Sequence, residues 1–164
     1  MAAALPLPAD CQGIWAISLW QPWASALMFP HLKVHETRHW PAPARLIGQR
    51  VAIHAAQRRC PLNETSLLND EAANATFGLP WRQNVPYGAL IGTAILAACQ
   101  PMSGQYAARP AHANDEAFGY WSAERFAWRM ADPIPFETPL PMKGQQGWWR
   151  LLDSAPSGDL FGVA

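Results

Sequence analysis

Both lysines of this chain lie in short runs of residues that could do chemistry. Ten of the twelve basic residues are arginines; the exceptions are Lys33, in Lys33-x-x-Glu36-x-Arg38, and Lys143, in Pro141-Met142-Lys143-Gly144. Lysine is a compact, flexible point charge and arginine a planar fork, so the two differ as site residues. Biased base composition explains the rarity of lysine equally well. The surroundings of each lysine must therefore decide whether it belongs to a functional site.

Lys33, Glu36 and Arg38 form a charged run, and tryptophans flank it on both sides. A tryptophan segment, Trp-Gln-Pro-Trp-Ala-Ser at residues 20–25, precedes the run, and Trp40 follows it. Aromatic rings stack on nucleic-acid bases, cations contact phosphate or carbonyl oxygens, and a carboxylate accepts from a base amino group. The charged run therefore predicts a binding cleft, with Lys33 and Arg38 as a clamp and Glu36 as an acceptor.

Catalysis by the charged run is a second hypothesis. Lys33 acts as a base only if desolvation lowers its pKa by several units, and the neighbouring Glu36 carboxylate opposes that shift. A more consistent arrangement has Glu36 activating water while Lys33 or Arg38 stabilises an oxyanion. Spacing alone favours a simpler alternative, a solvated edge strand whose exposed ion pairs are each worth under about 1 kcal/mol.

Length and composition fit one globular domain. The chain has 164 residues, of which 50% are hydrophobic and 15% charged, enough apolar material for a sizeable core. No apolar run approaches the roughly 18 residues that span a bilayer, so no membrane association is expected. The three cysteines include no Cys-x-x-Cys pair, which is typical of free thiols and unlike a zinc ribbon. We expect a cytoplasmic protein.

The net charge is zero, but the charges are segregated along the chain. Residues 31–59 carry six basic side chains against Glu36 alone, and residues 60–80 carry three acidic side chains and no basic one. A positive face on a neutral protein suits a short single strand or one nucleotide better than a long duplex, which requires many phosphate contacts. The alternative is that folding neutralises this local charge.

Sixteen prolines and eleven glycines divide the chain into short elements. Apolar patterning predicts six strands, and Pro22 and Pro61, each suited to a first helical turn, predict two helices. The predicted strands are 14–19, 34–40, 49–55, 88–99, 126–131 and 148–152, and the predicted helices are 23–29 and 61–75. These elements indicate an α+β fold built on a small, closed or partly closed β-barrel of about six strands with two or more flanking helices.

Domain boundaries follow from the same pattern. We assign residues 1–12 to a flexible N-terminal arm, 13–153 to the domain and 154–164 to a C-terminal tail.

His31, His35 and His39 recur every fourth residue, a spacing that suits a metal on one face of a helix. The segment is predicted to be extended, so no metal site is expected there. No cofactor is expected either.

The sequence resembles the ASCH domain, the activating-signal-cointegrator homology domain of the PUA-like superfamily. The resemblance is carried by residues 17–25, by the charged run with Trp40 and by residues 51–55. It continues in residues 87–92, Trp128, residues 141–144 and Trp149, so it spans 14–152. It implies a PUA-like β-barrel with a cleft that receives RNA, single-stranded nucleic acid or a nucleoside.

Two positions depart from the family pattern Gly-x-Lys-x-x-Glu-x-Arg or from one of its branches. His31 stands where the pattern has Gly, which implies a longer turn before Lys33. Glu36 stands where the acetylcytidine-hydrolysing branch has Thr. The catalytic set of that branch therefore does not carry over intact.

The leading functional hypothesis is a domain that binds RNA, single-stranded nucleic acid or a nucleotide. The alternative is a metal-independent hydrolase of the same cleft, similar to acetylcytidine amidohydrolases or ribonucleases, with Lys33 and Glu36 catalytic. A protein-interaction barrel is a third possibility, and the oligomeric state is left open. The candidate ligand-binding residues are Trp20, Gln21, Pro22, Trp23, Ser25, Lys33, Glu36, Arg38, Trp40, Arg45 and Lys143.

Overall fold

The computed structural model of the protein describes residues 7–152. Its strands are β1 (Trp15–Leu19), β2 (His35–Arg38), β3 (Arg50–Ala55), β4 (Ala89–Pro101), β5 (Phe126–Pro141) and β6 (Trp148–Arg150). Its helices are α1 (Trp23–Ala26), α2 (Leu67–Phe77) and α3 (Ala113–Ala117). The six strands form one sheet in the order β2-β5-β4-β3-β1-β6, in which β1 and β3 are parallel and the other neighbours antiparallel.

The sheet curls into a half-barrel. β5 and β6 are four positions apart in the sheet order, yet Trp128 of β5 stacks on Trp148 of β6 with ring centroids 5.7 Å apart. The pairing of β4 with β5 contains several register shifts, and such bulges increase strand twist. The edge strands β2 and β6 do not pair with each other, so the barrel stays open.

Apolar side chains pack on both faces of the central strands. Val51 and Ile53 of β3 belong to the main core cluster. Ala52, which points to the opposite face, packs with Leu90 and Trp149 in a second cluster. The strands that carry the site are therefore fixed from both sides, which keeps their side chains in defined positions.

β5 is longer than its sequence pattern predicts. The apolar alternation ends before Pro133, but the strand continues through Pro133, Pro135 and Pro139 to Pro141. β2 pairs only with Phe126–Arg129, so the second half of β5 has a free edge. A proline, which lacks the N–H needed for strand pairing, is tolerated on such an edge.

The helix boundaries also differ from the predicted ones. α2 begins at Leu67 and not near Pro61, because Ser66 and Asn69 form a capping box. Ser66 Oγ accepts from the backbone N–H of Asn69 at 3.1 Å, and Asn69 Oδ1 accepts from that of Ser66 at 3.0 Å. α1 ends at Ala26, three residues before its predicted end, and the sequence pattern does not predict α3.

The predicted fold class is confirmed: residues 7–152 form an α+β fold with a six-stranded half-barrel and three helices. Residues 7–12, assigned from sequence to the N-terminal arm, include a 3-10 turn at Ala9–Cys11 whose Cys11 is fully buried. The remainder of that arm, 1–6, and the predicted tail lie outside the described residues.

Candidate functional site

A pocket of about 1070 Å³ lies beside the charged run. Its wall is built from parts of β1, β2 and β3, the turn before α2, the loop after α3 and the loop before β6. A wall of aromatic surface with a few polar groups is typical of ligand-binding sites. The aromatic and charged residues of the wall are Trp20, Trp23, Trp40, Tyr120, Trp148, Glu36, Arg38, Arg58, Glu64 and Arg125.

Glu36 is the anionic centre of this wall. Its Oε1 accepts from Arg38 Nε at 2.9 Å, and its Oε2 lies 3.5 Å from Lys33 Nζ. The Glu36 side chain is only 9% exposed, so both of its oxygens are held by cations in a largely dry environment. As predicted from the strand pattern, Glu36 and Arg38 lie together, with Lys33 in the connection before β2.

Lys33 does not face the pocket. Its side chain is 1% exposed, and Nζ donates to the backbone oxygen of Phe118 at 3.0 Å. Burial lowers the pKa of Lys33 from its ordinary value, and the Glu36 carboxylate opposes that shift. Lys33 therefore lies behind Glu36 and ties it to the loop after α3, and it is not placed as a clamp on a ligand.

Other predicted site residues divide into two groups. Trp20, Trp23, Glu36, Arg38 and Trp40 line the pocket. Outside it lie Gln21, Pro22, Ser25, Arg45 and Lys143. Neither Lys33 nor Lys143 lines the pocket, although both are among the candidate ligand-binding residues.

The buried residues of the tryptophan segment position its two half-buried tryptophans. Gln21 is fully buried; its Nε2 donates to Ser25 Oγ at 2.7 Å and to the backbone oxygen of Pro86 at 2.8 Å. Its Oε1 accepts from the Ser25 N–H at 3.0 Å. This network fixes the turn between Trp20 and Trp23, so Gln21 and Ser25 support the wall without forming it.

Arginine side chains of the wall lie over aromatic rings. The distance from the guanidinium carbon to the ring centroid is 5.1 Å for Arg38 over Trp40 and 4.7 Å for Arg125 over Tyr120. Arg58 lies 6.0 Å from the centroid of Trp20. Cation–π contacts of this kind place a guanidinium over a ring face, so arginines and aromatic rings lie next to one another in the wall.

The basic segment of residues 31–59 does not form one positive face. Arg50 pairs with Asp132, Arg45 lies over Trp15, and Arg59 lies over Tyr87. Folding thus pairs Arg50 with a carboxylate and places Arg45 and Arg59 on separate rings, so the charge of the segment is dispersed and only partly neutralised. The pocket itself carries three arginines against two glutamates.

Asp115 fixes the loop that holds Phe118 and Tyr120 against β2. It is completely buried, and its Oδ1 accepts from the N–H groups of Val34 and His35 at 2.8 and 3.0 Å. Its Oδ2 accepts from His35 Nδ1 and from the Ala111 N–H, both at 2.8 Å. Burial alone raises the pKa of Asp115, but these hydrogen bonds outweigh it and hold the pKa well below its usual range.

Two residues of the pocket wall, Ser18 and His54, are not among those predicted from the sequence. Ser18 Oγ lies 3.1 Å from His54 Nδ1, and both residues line the pocket. His54 Nε2 lies 3.0 Å from the backbone oxygen of Met142, and Trp149 Nε1 donates to Ser18 Oγ at 3.1 Å. Ser18 and His54 are far apart in sequence, and only the parallel pairing of β1 with β3 makes them neighbours.

Gly144 closes over this pair. A Cβ at residue 144 would lie 2.7 Å from Ser18 Oγ and in steric conflict with the His54 ring. Glycine is therefore required by close approach of the loop to the two side chains.

His54 makes folding stability dependent on pH. Burial lowers the pKa of His54, so the unfolded chain binds a proton there more readily than the folded one. The stabilisation is complete above the unfolded-state value and is lost as pH falls through the folded value. We expect a smaller difference in unfolding free energy between pH 7.5 and 5.5 for His54→Gln than for the native protein, measured by urea denaturation. The exposed His39→Gln variant should keep the native difference.

Neither a metal site nor an association with a membrane is predicted from the sequence. The three regularly spaced histidines have separate partners: His31 contacts Phe29, His35 bonds Asp115, and His39 contacts Trp40. Residues 7–152 contain no cluster of three or more potential metal ligands. They also contain no helix with the length and hydrophobicity to cross a bilayer.

Neither a protein-family model nor a curated protein matches the chain. Among solved structures, the ASCH protein of Zymomonas mobilis is similar at 19% identity and a TM-score of 0.47, over 86% of this chain and 89% of that one. Its Tyr-to-Phe variant is similar at 19% identity and a TM-score of 0.46, over 87% of this chain and 92% of that one. Its Ser-to-Ala variant is similar at 18% identity and a TM-score of 0.46, over 91% of this chain and 92% of that one.

Proposed function

We propose that this is an ASCH-type domain whose pocket binds a short unpaired stretch of RNA or a single modified nucleoside. The observation that carries the proposal is that aromatic rings, arginines and one fixed carboxylate share a single pocket wall. Stacking on aromatic rings and guanidinium planes, with a hydrogen bond to a base edge, is how unpaired bases are recognised.

The wall offers the surfaces that such a ligand needs. Tyr120 is 66% exposed and Trp40 is 39% exposed, so each has ring surface free for a base. Glu36 is held in place by Arg38 and Lys33 and presents a carboxylate toward the pocket. A carboxylate accepts from the exocyclic amino group of cytosine or adenine, which supports a preference for those bases.

The charge of the pocket supports a short ligand. Three arginines face the pocket, so at most about three phosphates are neutralised. For a single strand this predicts a slope of log K against log salt no steeper than about −2. A protein that tracked a long strand would give a steeper slope.

Substitution of Arg58 and Tyr120 tests the proposal. Both are exposed, so their removal should leave folding intact. For a short single-stranded RNA, Tyr120→Ala should weaken association by about 1–3 kcal/mol, the worth of one stacked base. Arg58→Ala should weaken it at low salt and make the salt slope shallower by about 0.7. Tryptophan fluorescence or calorimetric titration measures both effects.

Matched controls come from outside the pocket. Arg129 and Tyr106 are also exposed and do not line the pocket. Arg129→Ala and Tyr106→Ala should retain native affinity. The proposal is wrong if the native protein shows no association at low salt, or if the control variants lose as much affinity as the pocket variants.

A hydrolase that uses Glu36 as its base is less well supported by the geometry of the pocket wall. It needs Lys33 or Arg38 as the donor to an oxyanion. Lys33 Nζ is buried on Phe118 and Glu36, and Arg38 Nε is bound to Glu36. Binding needs no rearrangement of these groups, and we therefore place it first.

A further inference from the structure

We propose that Ser18 and His54 form a nucleophilic dyad that cleaves carboxylic esters at the wall of the pocket. The two side chains lie 3.1 Å apart, within the range in which a base activates a serine. Both line the pocket, so the hydroxyl is adjacent to space that a substrate can enter. This activity goes beyond nucleic-acid binding and does not require it.

The hydrogen bonds of His54 define which nitrogen carries the proton. The backbone oxygen of Met142 is an acceptor only, so His54 Nε2, 3.0 Å away, carries the hydrogen and donates it. His54 Nδ1 is therefore unprotonated and accepts from the Ser18 hydroxyl. Trp149 Nε1 donates to Ser18 Oγ at 3.1 Å, which leaves the serine hydrogen free to point at His54.

The role of the Met142 carbonyl is that of an orienting third group. It holds one ring nitrogen of His54, and it accepts the Nε2 hydrogen when the imidazole becomes positively charged, as a carboxylate does in a serine triad. Ser18 and His54 are paired residues of the parallel strands β1 and β3. The geometry is thus set by strand pairing and not by flexible loops, which favours preorganisation.

The loop over the dyad carries candidate donors for an oxyanion. Residues 143–147 lie between β5 and β6, and no backbone carbonyl of residues 7–152 accepts a hydrogen bond from their N–H groups. Gly144 of this loop approaches Ser18 Oγ closely enough that a Cβ would lie 2.7 Å from it. Backbone N–H groups of such a loop can stabilise the charge of a tetrahedral intermediate when they point at the reacting oxygen.

The proposed reaction proceeds in two balanced steps. Ser18 Oγ attacks the ester carbon, its proton passes to His54 Nδ1, and the alkoxide of the substrate leaves with that proton as the free alcohol. Water then attacks the acyl-serine ester and gives a proton to His54 Nδ1. This proton returns to Ser18 Oγ as the carboxylic acid is released, so one ester and one water become one acid and one alcohol.

Labelling with a fluorophosphonate, followed by peptide mass spectrometry, tests the dyad on the native protein. We expect one modification, at Ser18. We also expect hydrolysis of 4-nitrophenyl acetate, with kcat/KM reduced at least about 100-fold in Ser18→Ala and in His54→Asn. Ser122, half-buried and outside the pocket, supplies the control: Ser122→Ala should keep native turnover and labelling.

Several results would overturn the dyad. One is a native protein, shown by circular dichroism to be folded, that is not labelled at Ser18; another is ester turnover that persists in folded Ser18→Ala. The native labelling needs no variant, so a variant that fails to fold does not obscure the outcome. RNA association is measured in parallel: RNA binding without labelling contradicts the dyad alone, and labelling without RNA binding contradicts the proposed function alone.

Discussion

Replacing Glu36 by glutamine is expected to lower the free energy of unfolding by about 3–5 kcal/mol, the cost of leaving a buried ion without its partner. Lys33 is 1% exposed, and Glu36 is the carboxylate nearest to its ammonium, at 3.5 Å. Glutamine keeps the size of the side chain but not the charge. The lysine must then stay charged in an apolar environment or lose its proton, and both cost stability. Urea or thermal denaturation measures the loss.

A double variant separates the buried charge from every other effect of the substitution. In Lys33→Met/Glu36→Gln both charges of the pair are absent, and an apolar side chain of similar length replaces the lysine. We expect this variant to recover most of the lost stability, since neutralising a whole buried pair is often nearly neutral. Glu64→Gln, a pocket-wall carboxylate that is exposed, should change stability by no more than about 0.5 kcal/mol.

Equal losses in Glu36→Gln and in the double variant would contradict the buried pair as the cause. The same two variants are also needed in any assay that tests Glu36 as a pocket residue. A drop in ligand binding or turnover by Glu36→Gln is informative only when the folded fraction is measured with it. The double variant provides a folded protein that lacks the carboxylate, so it reports on the role of Glu36 in the pocket.

Asp115→Ala is expected to destabilise the fold by about 3–6 kcal/mol. The substitution leaves the backbone N–H groups of Val34, His35 and Ala111 without their acceptor, and each buried orphan donor costs about 1–3 kcal/mol. It also removes the partner of the His35 ring. Because Asp115 joins β2 to the loop that carries Phe118 and Tyr120, we further expect weaker ligand binding. Denaturation midpoints and RNA titration check the two effects.

Two further variants control this prediction. Asp115→Asn keeps one acceptor oxygen, so its loss should lie between those of the native protein and the alanine variant. Glu116 is the neighbouring acidic residue on α3 and is exposed, so Glu116→Ala should change stability by no more than about 0.5 kcal/mol. A loss in Asp115→Ala no larger than that of Glu116→Ala would show that the hydrogen bonds of Asp115 do not hold this loop.

Much of the fold was predictable because strands and turns leave local signals. The apolar strands β1, β3 and β4 and the short segment β2 lie close to where alternation and proline breaks predict them. The second half of β5 was not predictable, because its prolines are acceptable only on a free edge. That edge exists because β2 pairs with the first part of β5 alone, a fact of sheet order that no local pattern contains.

The sequence by itself determined one part of the pocket wall. It brought Trp20, Trp23, Glu36, Arg38 and Trp40 into one region, because all five lie between the end of β1 and the residues just after β2. Proximity along the chain limits how far apart such side chains can be. These five residues all line the pocket.

Only the tertiary structure decided what each polar group does. Burial behind Glu36 converts Lys33, predicted as a ligand clamp, into a fixed partner of the fold. Ser18 and His54 became neighbours through the pairing of β1 with β3, across a long stretch of sequence. Desolvation and long-range contacts depend on which segments meet in space, and these set the charge, the accessibility and the partners of a side chain. Residue type and spacing do not specify them.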